Sequence, residues 1–255
     1  MKPVLQAKAL GKTFGAVVAA ADLNITIHAG ERVALIGSNG AGKTTFVNMV
    51  TGYILPDTGQ LLLDGEDITG LDPQDITRRG VARAFQIPQL FGDMSVLENM
   101  LMALAAHQPR PSLWRAARRA DTEARVNALL DRFQLQAHRH RLASQLPGGV
   151  RKLLDMAMSL TSQPKLLLLD EPTSAVAADE KFPLMENAMS AIAHDPTTPV
   201  LFVEHDLEIV RHHATRVIAF YSGRVIADGP AHRVLDSRDV RRFVTGEEPR
   251  EAQHA

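Results

Sequence analysis

Short, uninterrupted apolar runs recur along this chain, each closed by glycine or by acidic residues. Val33-Ala34-Leu35-Ile36 ends in Gly37, Leu166-Leu167-Leu168-Leu169 in Asp170-Glu171-Pro172, and Val200-Leu201-Phe202-Val203 in Glu204-His205-Asp206. Runs of this kind predict parallel strands buried on both faces. Residues 4–28 alternate instead, as in Leu23-Asn24-Ile25-Thr26-Ile27, and predict two or three half-buried strands. Leu61 to Asp67 predicts a strand and turn, Val81 to Gln86 a further strand, and Val217–Phe220 and Arg224–Ala227 two more before a polar helical tail. Phe46 to Val50 reads as helical, and a short helix is expected after Asp72-Pro73.

Between residues 94 and 160 the period changes. Val96 to His107, Leu113 to Phe133 and Val150 to Leu160 place apolar residues at helical spacing, with breaks at Pro109-Arg110-Pro111 and Pro147-Gly148-Gly149. The pattern predicts one α/β domain over 1–255: a core of 1–93 and 161–255, and an inserted helical subdomain over 94–160. Arg115, Arg118, Arg119, Arg125 and Arg132, interspersed with acids, read as a solvated helix face, with a partner-docking surface as the alternative.

Composition narrows this picture only a little. In 255 residues, 45% are hydrophobic and 5% aromatic, so aliphatic side chains must fill the core. A net charge of −1 offers no basis for binding a polyanion. The absence of cysteine excludes a disulfide scaffold and fits a reducing compartment. Met1 to Lys8 contains no apolar signal region, and no run approaches the ~20 residues that span a bilayer. The expectation is a cytosolic chain that meets membranes only through partners.

The chemistry is concentrated where the apolar runs stop. Gly37-Ser38-Asn39-Gly40-Ala41-Gly42-Lys43-Thr44-Thr45 follows one run and opens a helix, as the phosphate-loop pattern G-x-x-x-x-G-K-[ST] requires. Its glycines permit a tight turn whose N–H groups face phosphate oxygens at the positive end of the helix. Lys43 is expected on the β- and γ-phosphates, and the Thr44 hydroxyl on Mg2+. Asp170 and Glu171 end the four-leucine strand; the first suits Mg2+ and the second an attacking water. Taken singly, either acid also fits an ordinary strand end or helix cap. His205 likewise fits a plain strand terminus, and Gln86 a solvent-facing amide.

In order along the chain, these residues resemble the nucleotide-binding ATPase subunit of an ABC transporter, over essentially its whole length. The resemblance implies adenine stacking by Phe14, the Q-loop role for Gln86, the Walker B pair at Asp170-Glu171 and the switch histidine at His205. It implies Glu171 as general base, Thr44, Asp170 and Gln86 as the Mg2+ shell, Lys43 as phosphate clamp and His205 as γ-phosphate sensor. ATP and Mg2+ are the implied cofactors, and the implied fold is a P-loop core with a mainly parallel sheet, an N-terminal antiparallel β part and a helical insert. Thr13-Phe14-Gly15, Arg83-Ala84-Phe85-Gln86 with Leu90-Phe91, Met94-Ser95-Val96-Leu97-Glu98-Asn99, Val203-Glu204-His205-Asp206-Leu207 and Asp239 to Glu247 resemble the branched-chain amino acid uptake group. Integral membrane permease subunits, a second ATPase subunit and, indirectly, a solute-binding protein are the implied partners, at the cytoplasmic face of the inner membrane and without nucleic acid. A non-catalytic nucleotide-binding subunit and a non-transport ABC-type ATPase are the rival readings.

Two stretches depart from the family pattern. The signature, typically Leu-Ser-Gly-Gly-Gln, contacts the partner's nucleotide in trans; here it reads Leu146-Pro147-Gly148-Gly149-Val150. Pro147 has neither hydroxyl nor N–H, and Val150 lacks the amide. Ala177 stands where the family usually has Asp or Asn. Both departures face a partner, so the expectation is a heterodimer with unequal sites.

Overall fold

The computed structural model describes residues 2–106 and 115–245. His107, the Pro109-Arg110-Pro111 break, Leu113, the side chains of Arg115, Arg118 and Arg119, and the tail residues Gly246 and Glu247 lie outside what it describes. The chain begins with β1 (Pro3–Phe14), β2 (Val17–His28), β3 (Arg32–Gly37), α1 (Lys43–Val50), β4 (Thr58–Leu63), β5 (Glu66–Asp67) and α2 (Pro73–Arg79). Next come β6 (Val81–Ala84), α3 (Val96–Ala106), α4 (Arg115–Arg132), α5 (Gly148–Ser159), β7 (Leu166–Asp170) and α6 (Ala178–Ile192). The last elements are β8 (Val200–Val203), α7 (Leu207–His213), β9 (Arg216–Tyr221), β10 (Arg224–Pro230), α8 (Ala231–Leu235) and α9 (Arg238–Val240).

Two compact units result, one from Met1–Thr77 with Pro199–Ala255 and the other from Arg78–Thr198. In the first, β1 pairs antiparallel with both β2 and β4, and β5 closes this sheet against β4. Asp64 and Gly65, both at positive φ, make the tight β4–β5 turn. In the same unit β3 lies between two parallel neighbours, β8 and β9, and β10 pairs antiparallel with β9. Val33 to Ile36 are at most 1% exposed, which accounts for their unbroken apolar run. Phe46 of α1 packs its ring 6.0 Å from that of Phe220 on β9.

The second unit holds the parallel pair β6 and β7 and the helices α3 to α6. Leu166 to Leu169 are buried on both faces of their strand, as their pattern predicts. Ser95 and Glu98 form a capping box at the start of α3, with the Glu98 carboxylate accepting from Ser95 N and Oγ at 2.7 Å each. Behind it the fully buried Asn99 accepts from Phe91 N at 2.9 Å and donates to Phe91 O at 3.1 Å, pinning the loop that enters α3. Of the arginines read as a solvated face, Arg132 is exposed, whereas Arg125 is half-buried and donates to Thr161 O at 3.3 Å.

Several expectations shift in detail. Residues 4–28 form two strands. The strand expected over Val81 to Gln86 stops at Ala84, because Phe85 N and Gln89 N donate to the Asp155 carboxylate at 2.9 and 3.2 Å. Helix α5 starts at Gly148, two residues before Val150. Helix α6, which contains Pro183, and helix α7 were not anticipated. No helix among the described residues is long and apolar enough to cross a membrane.

Burial raises the pKa of Asp155 to about 6, outweighing the backbone hydrogen bonds and Lys152, which lower it. The folded chain therefore binds this proton more tightly than the unfolded chain, and stability falls as pH rises from about 4 to about 6. Asp155→Asn removes roughly 1 kcal/mol of the stability difference between about pH 5 and about pH 7, measured by urea unfolding. Ala177 occupies the N-cap of α6 with no side-chain hydrogen bond. Ala177→Asn should raise unfolding stability by about 1 kcal/mol in the same assay.

Candidate functional site

In the first unit, the chain leaves β3 at Gly37 and turns into α1 through two left-handed glycines, Gly40 at φ 78° and Gly42 at φ 108°. Gly42 has a second constraint: a Cβ there would lie 2.4 Å from Ala19 O of β2. The turn is tied from outside as well, since Gly223 N donates to Ala41 O at 3.0 Å and Gly223 O accepts from Ala21 N at 2.8 Å. Inside it, the buried Lys43 ammonium donates to Gly37 O at 2.6 Å and Ser38 O at 3.1 Å. Ser38, Asn39, Gly40 and Thr44 are exposed, Thr45 is half-buried, and Ala41 is buried. The result is a rigid backbone cradle at a helix N-terminus, an arrangement that takes phosphate.

Phe14 and His205 belong to this unit too. Phe14 is 48% exposed, with the Lys12 ammonium 5.5 Å from its ring centroid. Lys12 and Thr13 both bind Asp57, whose carboxyl they hold down at about 2. This contact fixes the end of β1 and leaves an aromatic face available for stacking. His205 is exposed on the turn from β8 to α7. The buried Glu204 carboxylate shapes that turn by accepting from His205 N at 2.8 Å and Asp206 N at 3.3 Å. Asp206 in turn caps α7, accepting from Glu208 N at 3.2 Å.

The second unit gathers the other candidates. Gln86 Nε2 donates to Glu171 Oε2 at 2.5 Å, so the Gln86 amide and the carboxylate after β7 meet directly. Asp170 is buried at the end of β7 and pairs with Arg83 of the adjacent strand β6 at 2.5 Å. Glu171 itself sits at φ 48°, a left-handed conformation costly for a residue with a side chain. Lys152 of α5 braces the turn, donating at 3.0 Å to Glu171 O, Gln86 O and Ser174 Oγ. In the signature stretch Leu146 is buried, Pro147 and Gly148 are exposed, and Gly149 and Val150 are half-buried. Pro147 is the N-cap of α5 and supplies no side-chain hydrogen bond.

The structure thus brings Gln86 to Glu171 and folds Gly37 to Thr45 around Lys43. Thr44, Asp170 and Gln86 carry the hard oxygen donors that Mg2+ takes, and the Gln86 contact to Glu171 uses its Nε2 rather than its Oε1. Sequence reasoning missed Arg83 as the partner of Asp170, Glu204 as the support of His205, and Lys152 and Asp155 as the supports of Gln86. The charged residues at Lys152 and Asp155 within an otherwise buried helix face were the available signal.

The comparisons with known proteins agree on one family. A family model described as ABC transporter matches residues 20–174. The chain is 35% identical to the high-affinity branched-chain amino acid transport ATP-binding protein LivG of Escherichia coli K12 over 96% of its own length and 99% of that protein's. It is 32% identical to BraF of Pseudomonas aeruginosa over the same shares. Similarity to ribose import ATP-binding protein RbsA 1 of Streptomyces coelicolor reaches 34% identity but covers 47% of that protein. Among solved structures, the ADP conformation of MJ1267, an ATP-binding cassette of an ABC transporter, superposes with a TM-score of 0.83 at 27% identity, covering 97% of this chain and 100% of that one. The chain belongs to the ABC transporter family as one of its ATPase cassettes.

Proposed function

We propose that this cassette powers uptake of a small solute, with branched-chain amino acids as the leading class and urea, amides or aromatic acids as chemically related options. One observation carries the substrate class: similarity to LivG and BraF spans nearly the whole of both chains. The ribose import relative matches over about half of its own length, and sugars are the rival class. The cassette works at the cytoplasmic face of the inner membrane, on permease subunits fed by a solute-binding protein. A second, different ATPase subunit completes the pair.

Each residue takes the role its chemistry suits. The loop N–H groups and Lys43 hold the triphosphate, and Phe14 stacks the adenine. Thr44, Asp170 and Gln86 would hold Mg2+, which when bound offsets phosphate charge. Glu171, oriented by the Gln86 amide, accepts the proton of the attacking water. His205, fixed by Glu204, senses the γ-phosphate. The signature of this chain serves the partner's nucleotide poorly, since Pro147 offers no donor. Losing one charge-assisted hydrogen bond costs roughly 1.5–3 kcal/mol.

Two measurements test this reading. In the assembled transporter, Glu171→Gln should lower phosphate release by ~100-fold or more while ATP affinity stays intact. The matching exchange in the partner should do far less; equal losses would refute the unequal sites. Proteoliposomes holding the complex and its binding protein should accumulate labelled leucine on ATP addition. Accumulation of ribose instead would overturn the substrate class.

A further inference from the structure

Helix α5 starts at Gly148-Gly149 and carries two buried charged residues further in, Lys152 about one turn along and Asp155 about two. Burying charge on a helix face is costly unless each charge is matched; both are matched by the segment around Gln86, and Lys152 by the turn after β7 as well. Asp155 accepts from Phe85 N at 2.9 Å and Gln89 N at 3.2 Å, on either side of Gln86. Lys152 takes Gln86 O itself, then reaches across to Glu171 O and Ser174 Oγ, each at 3.0 Å. The Gln86 segment is strapped to α5 at three backbone atoms, and the turn after β7 at one backbone and one side-chain atom.

The turn needs such a strap. Glu171 stands at φ 48° and Ala175 at φ 57°, conformations that side-chain-bearing residues hold only when surrounding contacts over-determine them. Lys152 supplies contacts at both ends of this segment, through Glu171 O and Ser174 Oγ. Its ammonium touches the main chain of Gln86 and of Glu171 at once, while their side chains meet at 2.5 Å.

From this juxtaposition we infer that Lys152 is a positioning residue of ATP hydrolysis. It sets the distance and aim of the Gln86–Glu171 pair through their backbones and touches no part of the nucleotide itself. The inference rests on the proposed role of Glu171 as general base. A consequence is that the helix offering its N-terminus to the partner's nucleotide also holds this chain's own base in place.

The test uses the full chain assembled with its partner subunits, in ATP-binding and phosphate-release assays. Lys152→Met keeps most of the unbranched side chain and removes the ammonium. It should lower kcat by about 30-fold or more while leaving ATP affinity within about threefold, and Lys152→Arg should recover most of the loss. Ser174→Ala, a milder change that leaves Lys152 in place, should lower kcat several-fold with the same unchanged affinity. Because Lys152 acts through Glu171, adding Lys152→Met to Glu171→Gln should lower the residual rate no further. A further multiplicative fall in the double variant would mark a merely structural role and overturn the inference. So would turnover in both Lys152→Met and Ser174→Ala that matches the wild type. If Glu171→Gln itself keeps wild-type turnover, the reading of the site fails first and the inference with it. A defect confined to the lysine and serine variants leaves the general base without support as well and counts against the inference.

Discussion

A strand packed on both faces has no room for charge along its middle, so its polar residues fall at its ends. Three strands of this chain obey that constraint, and each delivers a different functional group. From β3 the chain enters the glycine turn around Lys43. From β7 it reaches Asp170 and Glu171, and from β8 Glu204 and His205. Burial of Val33–Ile36, Leu166–Leu169 and Val200–Val203, all at 2% exposure or less, fixes where those groups emerge. Within each unit the hydrophobic effect thus acts as the ruler, and the polar contacts only trim what it sets out.

The trimming is done by partly or fully buried charges whose partners are backbone atoms or a neighbouring strand. Glu204 shapes the turn bearing His205, Arg83 holds Asp170 across the β6–β7 pair, and Lys152 with Asp155 holds the segment of Gln86. Each of these groups decides where a neighbouring residue must stand. Each carries a desolvation cost that its contacts must offset, so truncating one leaves the others unsatisfied. Their cost is repaid in a single conformation for residues that the chain's local preferences would leave loose.

The strands and the phosphate loop were legible because their signals are local. A run such as Leu166-Leu167-Leu168-Leu169 declares its burial in four residues, and the loop declares its chemistry in nine. Helix α6 was not legible, since Pro183 interrupts the pattern by which a helix is recognised. The supporting charges were illegible for another reason: Arg83 and Asp170 are 87 positions apart, and Lys152 and Gln86 are 66 apart. Only the parallel pairing of β6 with β7, and the packing of α5 on the loop that follows β6, brings them together. The departures at Pro147 and Ala177 were plain in the sequence, and the structure gives them a common form, a helix start without a side-chain cap.

The first unit is assembled from two stretches of chain separated by the whole of the second. Strand β3 finds both of its neighbours, β8 and β9, in the later stretch, and the glycine turn receives its outer tie from Gly223. On the ribosome, β3 therefore emerges long before anything it can pair with. At ordinary translation rates it waits on the order of ten seconds with its apolar side chains unmatched. Strands β1, β2 and β4 all precede residue 64, whereas a chain interrupted before residue 200 lacks both strands that flank β3. A nascent cassette is in this sense sealed from its far end, and its capacity to hold a triphosphate is among the last properties it acquires.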